Sequence, residues 1–314
     1  MHRLVARRGL ILQACAWLAA AGTAHAGGAE YLLPENGDNV IGVVTTAFAE
    51  HEDTLLDVGR RYGVGYEEII AANPGVDPWL PGAGTEILIP TRFILPDAPR
   101  EGVVVNLPEH RLYYYPPVKK GERPIVRTYP ISTGKMDWKT PLGVTRIASK
   151  QEKPNWYPPA SVLAEHEANG DPLPKVVPPG PDNPLGTHAL RLSKWSILIH
   201  GTDTPFAVGR RASHGCLRLY PEDIPVLYGQ VPVGAEVRIV REPVKVGVRA
   251  GRIYVEIHPD EDAKVDLAAE ARRLLGRRGL LGSVDVEKLD LALKDLRGLP
   301  VDVTADRSPS ALAL

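Results

Sequence analysis

Thirty prolines and thirty glycines punctuate this chain of 314 residues. Proline removes a backbone donor and ends helices, and glycine inside a helix costs about 1 kcal/mol relative to alanine. A chain interrupted this often folds into short elements joined by many turns, which predicts a mainly β protein. Its length allows more than one hydrophobic core.

The first residues read "MHRLVARRGLILQACAWLAAAGTAHA". Arg3, Arg7 and Arg8 precede an apolar run, and Ala24-His25-Ala26 is a small-x-small cleavage pattern. Residues 1–26 are therefore predicted to be a cleavable signal peptide, and the mature protein periplasmic. The apolar run is shorter than the ~20 residues a membrane span needs, and no later run is long enough. Leu12-Gln13-Ala14-Cys15 leaves too little apolar run before it for a lipoprotein signal, while Arg7-Arg8 leaves twin-arginine export open. Cleavage removes three arginines and no acid, taking the formal net charge from −1 to −4, which argues against a nucleic-acid partner. It also removes Cys15, so of two cysteines only Cys216 remains. An intramolecular disulfide is then impossible. A lone thiol in an oxidising compartment is a liability unless it is buried or used.

Three blocks follow. In residues 39–91, Val40–Thr45 reads as a strand, Asp53 as the cap of a helix ended by Gly63, Glu67–Ala72 as a second helix, and Thr85–Ile89 as a strand. Asp53-Thr54-Leu55, Arg61-Tyr62-Gly63-Val64, Ala72-Asn73-Pro74 and Pro81-Gly82 resemble the LysM domain, a βααβ glycan-binding module. That resemblance implies peptidoglycan contacts through Asp53, Thr54, Asn73 and Pro74. A spacer of the same shape is the competing reading. Residues 102–242 alternate strands and turns, starting with a hairpin of Val103–Asn106 and Arg111–Tyr115. The proline-rich stretch Lys153–Pro184 interrupts them and reads as a long loop, either a lid or a structural cover. Residues 243–314 read as a hairpin, Val244–Arg249 with Arg252–Ile257, and two amphipathic helices, Asp262–Leu275 and Val284–Leu296.

The chemistry centres on "ASHGCLRLY", Ala212 to Tyr220. Gly215 beside Cys216 permits a sharp turn and a close approach by substrate. Such a turn can converge backbone N–H groups on one point, as an oxyanion hole requires. The thiol needs a base, and a histidine partner can lower a cysteine pKa to roughly 3.5–7.5. His200, ending the apolar run Ser196–Ile199, and His214 compete for that role. Spacing favours His200, because a neighbour in a tight turn usually points away.

"IHGTDTPFAVGRRASHGCLRL", with "ISTGK", "WYPPASV" and "NPLGTHALRL", resembles the YkuD-type L,D-transpeptidases of the ErfK/YbiS-like periplasmic branch. The resemblance implies a β-sandwich catalytic domain at 102–242 and no cofactor or metal. It also implies a reaction. Cys216 attacks a peptidoglycan tetrapeptide stem, D-alanine leaves, and an amine takes the acyl group from the thioester. His200 acts as base, oriented by the Gly201 carbonyl; His214, Gly215 and Cys216 supply oxyanion donors. Arg218, Gly201, Ser213, Trp156 and Tyr157 bind substrate, with Ser213 also fixing the turn and Arg218 suited to a carboxylate. The acceptor is a second stem's diaminopimelate or the C-terminal lysine of an outer-membrane lipoprotein. Papain- and NlpC-type hydrolases run Cys before His, and sortases lack the Ser-His-Gly-Cys turn. A zinc site of His200, His214 and Cys216 lacks ligand spacing. An L,D-carboxypeptidase, a hydrolase of the same fold and an inert wall-binding protein remain as alternatives.

Overall fold

The computed structural model describes residues 28–260, 262 and 265–306; the predicted signal segment lies outside them. The chain opens with β1 (Ala29–Leu32). The small block then comprises β2 (Val40–Gly42), β3 (Thr45–Phe48), α1 (Leu55–Arg61), α2 (Tyr66–Ala72), β4 (Glu86–Ile89) and β5 (Arg92–Ile94). The middle block runs through β6 (Gly102–Asn106), β7 (Arg111–Tyr115), β8 (Ile125–Pro130), β9 (Thr133–Gly134) and β10 (Gly143–Glu152). It continues with α3 (Ala160–Ala168), β11 (His188–Leu192), β12 (Leu198–His200), β13 (Arg211–Ser213), β14 (Leu217–Arg218), α4 (Asp223–Gln230) and β15 (Glu236–Val240). The tail adds β16 (Val244–Arg249), β17 (Arg252–Ile257), α5 (Leu267–Arg277), α6 (Val286–Asp295) and β18 (Val301–Asp302). The protein is mainly β, as its punctuation predicts.

Local chemistry sets the helix ends. Thr54, one residue later than expected, caps α1 in a reciprocal box with Asp57. Asp266 and Asp285 each accept two N–H bonds at the starts of α5 and α6. These caps start both helices a few residues later than periodicity suggests, and α5 runs on two residues past Leu275. Helix α3 is the larger surprise, since it lies within the proline-rich stretch read as loop. Prolines flank it at Pro158-Pro159 and Pro172, but the ten residues Ala160–Asn169 contain none, which leaves room for two turns.

Among the described residues, nine strands form one sheet in the order β1-β8-β7-β6-β15-β10-β11-β12-β14. Most neighbours are antiparallel, but β6/β15 and β12/β14 are parallel. Strand β7 is buried at every residue and β6 at all but its first, because both faces of the sheet are covered. On one face Val103, Val105, Leu112 and Tyr114 join the main core. On the other, Val104, Tyr113 and Tyr115 pack with Ile41, Phe93 and Leu95 of the small block. The tail has its own core beneath α5 and α6.

Buried charges join the blocks. Arg111 of β7 pairs in a bidentate manner with Glu68 of α2 at 2.6 and 2.7 Å, both side chains buried. Lys245 of β16 lies between Glu109 of the middle block and Glu256 of the tail, at 2.8 and 2.7 Å, and donates to the Ile94 carbonyl. Strand β1 precedes the small block in sequence but pairs with β8 of the middle sheet. No helix among the described residues is long and apolar enough to cross a membrane.

Candidate active site

The short apolar run Leu198–His200 fits a buried strand, and β12 pairs on one side with β11 and on the other, in parallel, with β14. The register sets Ile199 opposite Leu217 and His200 opposite Arg218. Cys216, just before β14, therefore comes to the β12 backbone, where its Sγ accepts a hydrogen bond from Leu198 N–H at 3.4 Å. His200 is buried, and its Nδ1 donates to the Gly201 carbonyl at 2.6 Å. A carbonyl only accepts, so this bond leaves Nε2 with the free lone pair.

The turn before Cys216 is built by Ser213 and Gly215. Gly215 has φ +97°, in the region that favours glycine. Ser213, fully buried, donates from Oγ to the Cys216 carbonyl at 2.6 Å and accepts from Gly215 N–H at 3.1 Å. The Gly215 N–H is thus already committed, against the expectation that it faces an oxyanion. The N–H groups of His214 and Cys216 have no acceptor among the described residues. Thr140 Oγ1 donates to the Gly215 carbonyl at 3.0 Å while accepting Gly134 N–H, which ties the turn to β9. The half-buried Arg218 is held through its backbone by Ser132 on one side, and its Nε is buried without a hydrogen-bond partner.

With this geometry in view, comparisons with known proteins are direct. Residues 100–239 match the family model YkuD, described as the L,D-transpeptidase catalytic domain. The chain is 39% identical over 292 residues to "Probable L,D-transpeptidase YcfS" of Escherichia coli K12, covering 89% of this chain and 90% of that protein. It is 38% identical to "Probable L,D-transpeptidase YbiS" of the same strain, covering 86% and 90%. It is 37% identical to "Probable L,D-transpeptidase ErfK/SrfK" of Salmonella typhimurium, covering 88% and 92%. The chain belongs to the YkuD family of L,D-transpeptidases.

The electrostatics of this L,D-transpeptidase differ from the expected thiolate–imidazolium pair. Burial, reinforced by the nearby Arg218 cation, pushes the His200 pKa down to about 3; the Gly201 and Leu185 carbonyls only partly oppose it. Burial also raises the Cys216 thiol above its ordinary value, against smaller opposing effects of Leu198 N–H, Arg218 and Arg191. Both groups rest neutral at pH 7. A nucleophilic reaction of such a thiol would need proton transfer during attack instead of a standing thiolate.

Several expected site residues have other occupations. The Gly201 carbonyl orients His200, and a side chain at Gly201 would crowd Ile224 and the Leu185 carbonyl at 3.0 and 3.3 Å. Ser213 is spent on the turn. Trp156 pairs with Val177 across the base of the proline-rich segment, and Tyr157 is exposed. In the small block, Asp53 accepts Glu50 N–H and pairs with Arg61, Thr54 caps α1, and Asn73, largely buried, is bonded to Ile69 and to both backbone groups of Leu88 while lining an open groove with Pro74, Thr46 and Val76. Asp53 and Thr54 thus have structural partners of their own, while Pro74 is exposed beside Asn73. Trp79 and Leu80 are more exposed still, in a loop that sequence reasoning passed over.

Sequence reasoning also missed three residues around the turn. Glu165 of α3 bonds His214 Nε2 at 2.7 Å, and that bond holds its carboxyl below the usual range. Trp138 packs edge-on against the His214 ring at 5.3 Å. Asn183, fully buried, donates to the carbonyls of Pro154, Val177 and Pro178 and accepts Leu185 N–H, pinning both ends of the segment. Only Asn183 lay in a quoted motif, and neither spacing nor composition gives it a role. The zinc alternative finds no support in the fold. The metal-ligating side chains that converge among the described residues are Glu109, Glu256 and His258, and Lys245 already serves these carboxylates as their cation.

Proposed function

We propose that this enzyme is an exported cysteine transpeptidase acting on peptidoglycan tetrapeptide stems. The observation that carries the reading is the parallel register that brings Cys216 and Arg218 beside Leu198 and His200 on the adjacent strand. In the first half-reaction His200 Nε2 accepts the thiol proton as Sγ attacks the carbonyl carbon of the L-centre. The C–S bond forms, the oxyanion collapses, the C–N bond to D-alanine breaks, and the proton leaves on the D-alanine amine. In the second half-reaction an amine attacks the thioester, its proton passes to His200, the C–N bond forms, and the thiol is regenerated. The N–H groups of His214 and Cys216 hold the oxyanion; one such donor is worth about 2.7–4 kcal/mol of barrier. Arg218, with its unpartnered buried Nε, receives a substrate carboxylate.

The segment 153–184 covers the turn as a lid and keeps water from the thioester, supported by the Glu165–His214 bond. The small block 39–91 is read as a LysM-type contact to glycan strands, through the groove that Asn73 and Pro74 line and the exposed Trp79 loop. The acceptor is diaminopimelate of a second stem or a lipoprotein lysine. The deciding experiment incubates the mature enzyme with disaccharide-tetrapeptide and either amine. Cross-linked or amine-exchanged product with one β-lactam adduct on Cys216 supports the proposal. Tripeptide alone, with every amine offered, makes the enzyme an L,D-carboxypeptidase.

A further inference from the structure

We infer that the small block is a positioning part of the active site, holding the nucleophile-bearing segment on both sides of Cys216. The inference rests on the reading of Cys216 as nucleophile. The segment between His200 and Cys216 does not stay on the middle sheet. It runs out to the small block, where the first two N–H groups of α2 receive it: Tyr66 donates to the Val208 carbonyl at 2.9 Å and Glu67 to the Gly209 carbonyl at 3.1 Å. These donors have no partner within their own helix, so the active-site segment completes α2 as α2 fixes the segment. Arg210 then lays its guanidinium over the Tyr66 ring at 4.8 Å. After the nucleophile the chain meets the same place again. The Tyr220 hydroxyl donates to the Val64 carbonyl at 3.1 Å, and Glu222 takes a two-pronged bond from Arg60 at 2.7 Å.

Both arms therefore end on the α1–α2 turn, Val64 to Tyr66, and the Ser213–Cys216 turn is suspended between them. The contact is backbone on backbone. A methyl group at Gly65 would come 2.7 Å from Gly209 Cα, and one at Gly209 would come 2.3 Å from Gly65 Cα. Two glycines face each other because nothing larger lets the segment seat. Moving the α1–α2 turn moves both arms, and a displacement of about 1 Å at a reacting group can cost on the order of 100-fold in rate.

The test uses the full chain and two alanines of opposite design. Gly65 has φ −84°, which alanine adopts freely, so Gly65→Ala acts through space: its methyl meets the segment most closely, at Gly209 Cα, and comes within 3.1 Å of Pro130 Cβ and 3.3 Å of Glu68 Oε2. Gly84, before β4 and away from the α1–α2 turn, has φ +78° with open space around it, so Gly84→Ala strains the small block without touching the segment. Acylation of Cys216 by a carbapenem-type β-lactam, kcat, KM and Tm are measured for each. Gly65→Ala is expected to slow acylation and kcat by at least about ten-fold with KM nearly unchanged, while Gly84→Ala lowers Tm and leaves both rates alone. Tyr220→Phe, which removes one hydroxyl, is expected to slow acylation several-fold and serves if Gly65→Ala does not fold. Wild-type acylation rates in a folded Gly65→Ala, or in Tyr220→Phe should it be the variant that folds, overturn the inference alone. So does equal slowing by Gly84→Ala. Absence of any Cys216 adduct in the unsubstituted protein overturns the nucleophile reading, and this inference with it.

Discussion

At the residue scale the decisive property is a buried, neutral pair. Cys216→Ala is expected to abolish turnover with the fold intact. His200→Ala should cost about 10²–10⁴-fold, the range for a positioned general base. His214→Ala keeps the backbone N–H and should cost less; equal losses at both histidines would leave the base unassigned. Because the His200 pKa is lowered to about 3, the imidazole stays a free base far below the ordinary histidine range. The acid limb of the acylation rate should therefore lie well below pH 6, and a limb between pH 6 and 7 would contradict a neutral pair. The same shift affects stability. Below about pH 6.5 the unfolded chain binds a proton that the folded chain refuses, so His200's contribution is intact above that pH. It is lost as the pH falls towards about 3, with a slope approaching 1.4 kcal/mol per unit. His200→Gln should flatten that slope in acid-unfolding measurements.

At the scale of elements, local pattern was readable and distant pairing was not. The β6–β7 and β16–β17 hairpins, α1, α2 and the strand ending at His200 follow from alternation, caps and turn residues within a few positions. The helix α3 was hidden because its prolines were counted and the gap between them was not. The fate of the Gly215 N–H was hidden for another reason, since only the folded turn reveals that the Ser213 hydroxyl reaches it. Glu165 sits far from His214 in sequence, and its partner could be known only once the segment was seen to fold back. That segment carries its own prediction. Asn183→Ala strands three carbonyls and one N–H that it now satisfies, at roughly 1–3 kcal/mol for each group left buried and unmet. Limited proteolysis should then cut within 153–184 sooner, and the share of free tripeptide should rise. Unchanged products alongside faster cutting would separate the segment's mobility from any role in excluding water.

At the scale of the whole molecule, the blocks legible in sequence are not independent bodies. Arg111→Met would leave Glu68 buried without its cation, at about 3–5 kcal/mol, although the two residues belong to different blocks. Denaturant unfolding should register that loss in one transition; two transitions, with the middle block unaffected, would mean the blocks melt apart. Strand β1 extends the point. Ala29 pairs with Thr128 and Val103 with Val237, so the sheet closes only between stretches widely separated along the chain. Ribosomes deliver β1 first and its neighbour much later, and closure of such distant pairings is slow. The folding unit is therefore not contiguous in the gene. A protein begun at residue 100, where the family match begins, would contain every reacting group yet present β8 as a bare sheet edge and Arg111 as an orphaned charge. Exchanging the first hundred residues for an unrelated module would not be a change of address label; it would strip the sheet of an edge strand and of the elements that cover one of its faces.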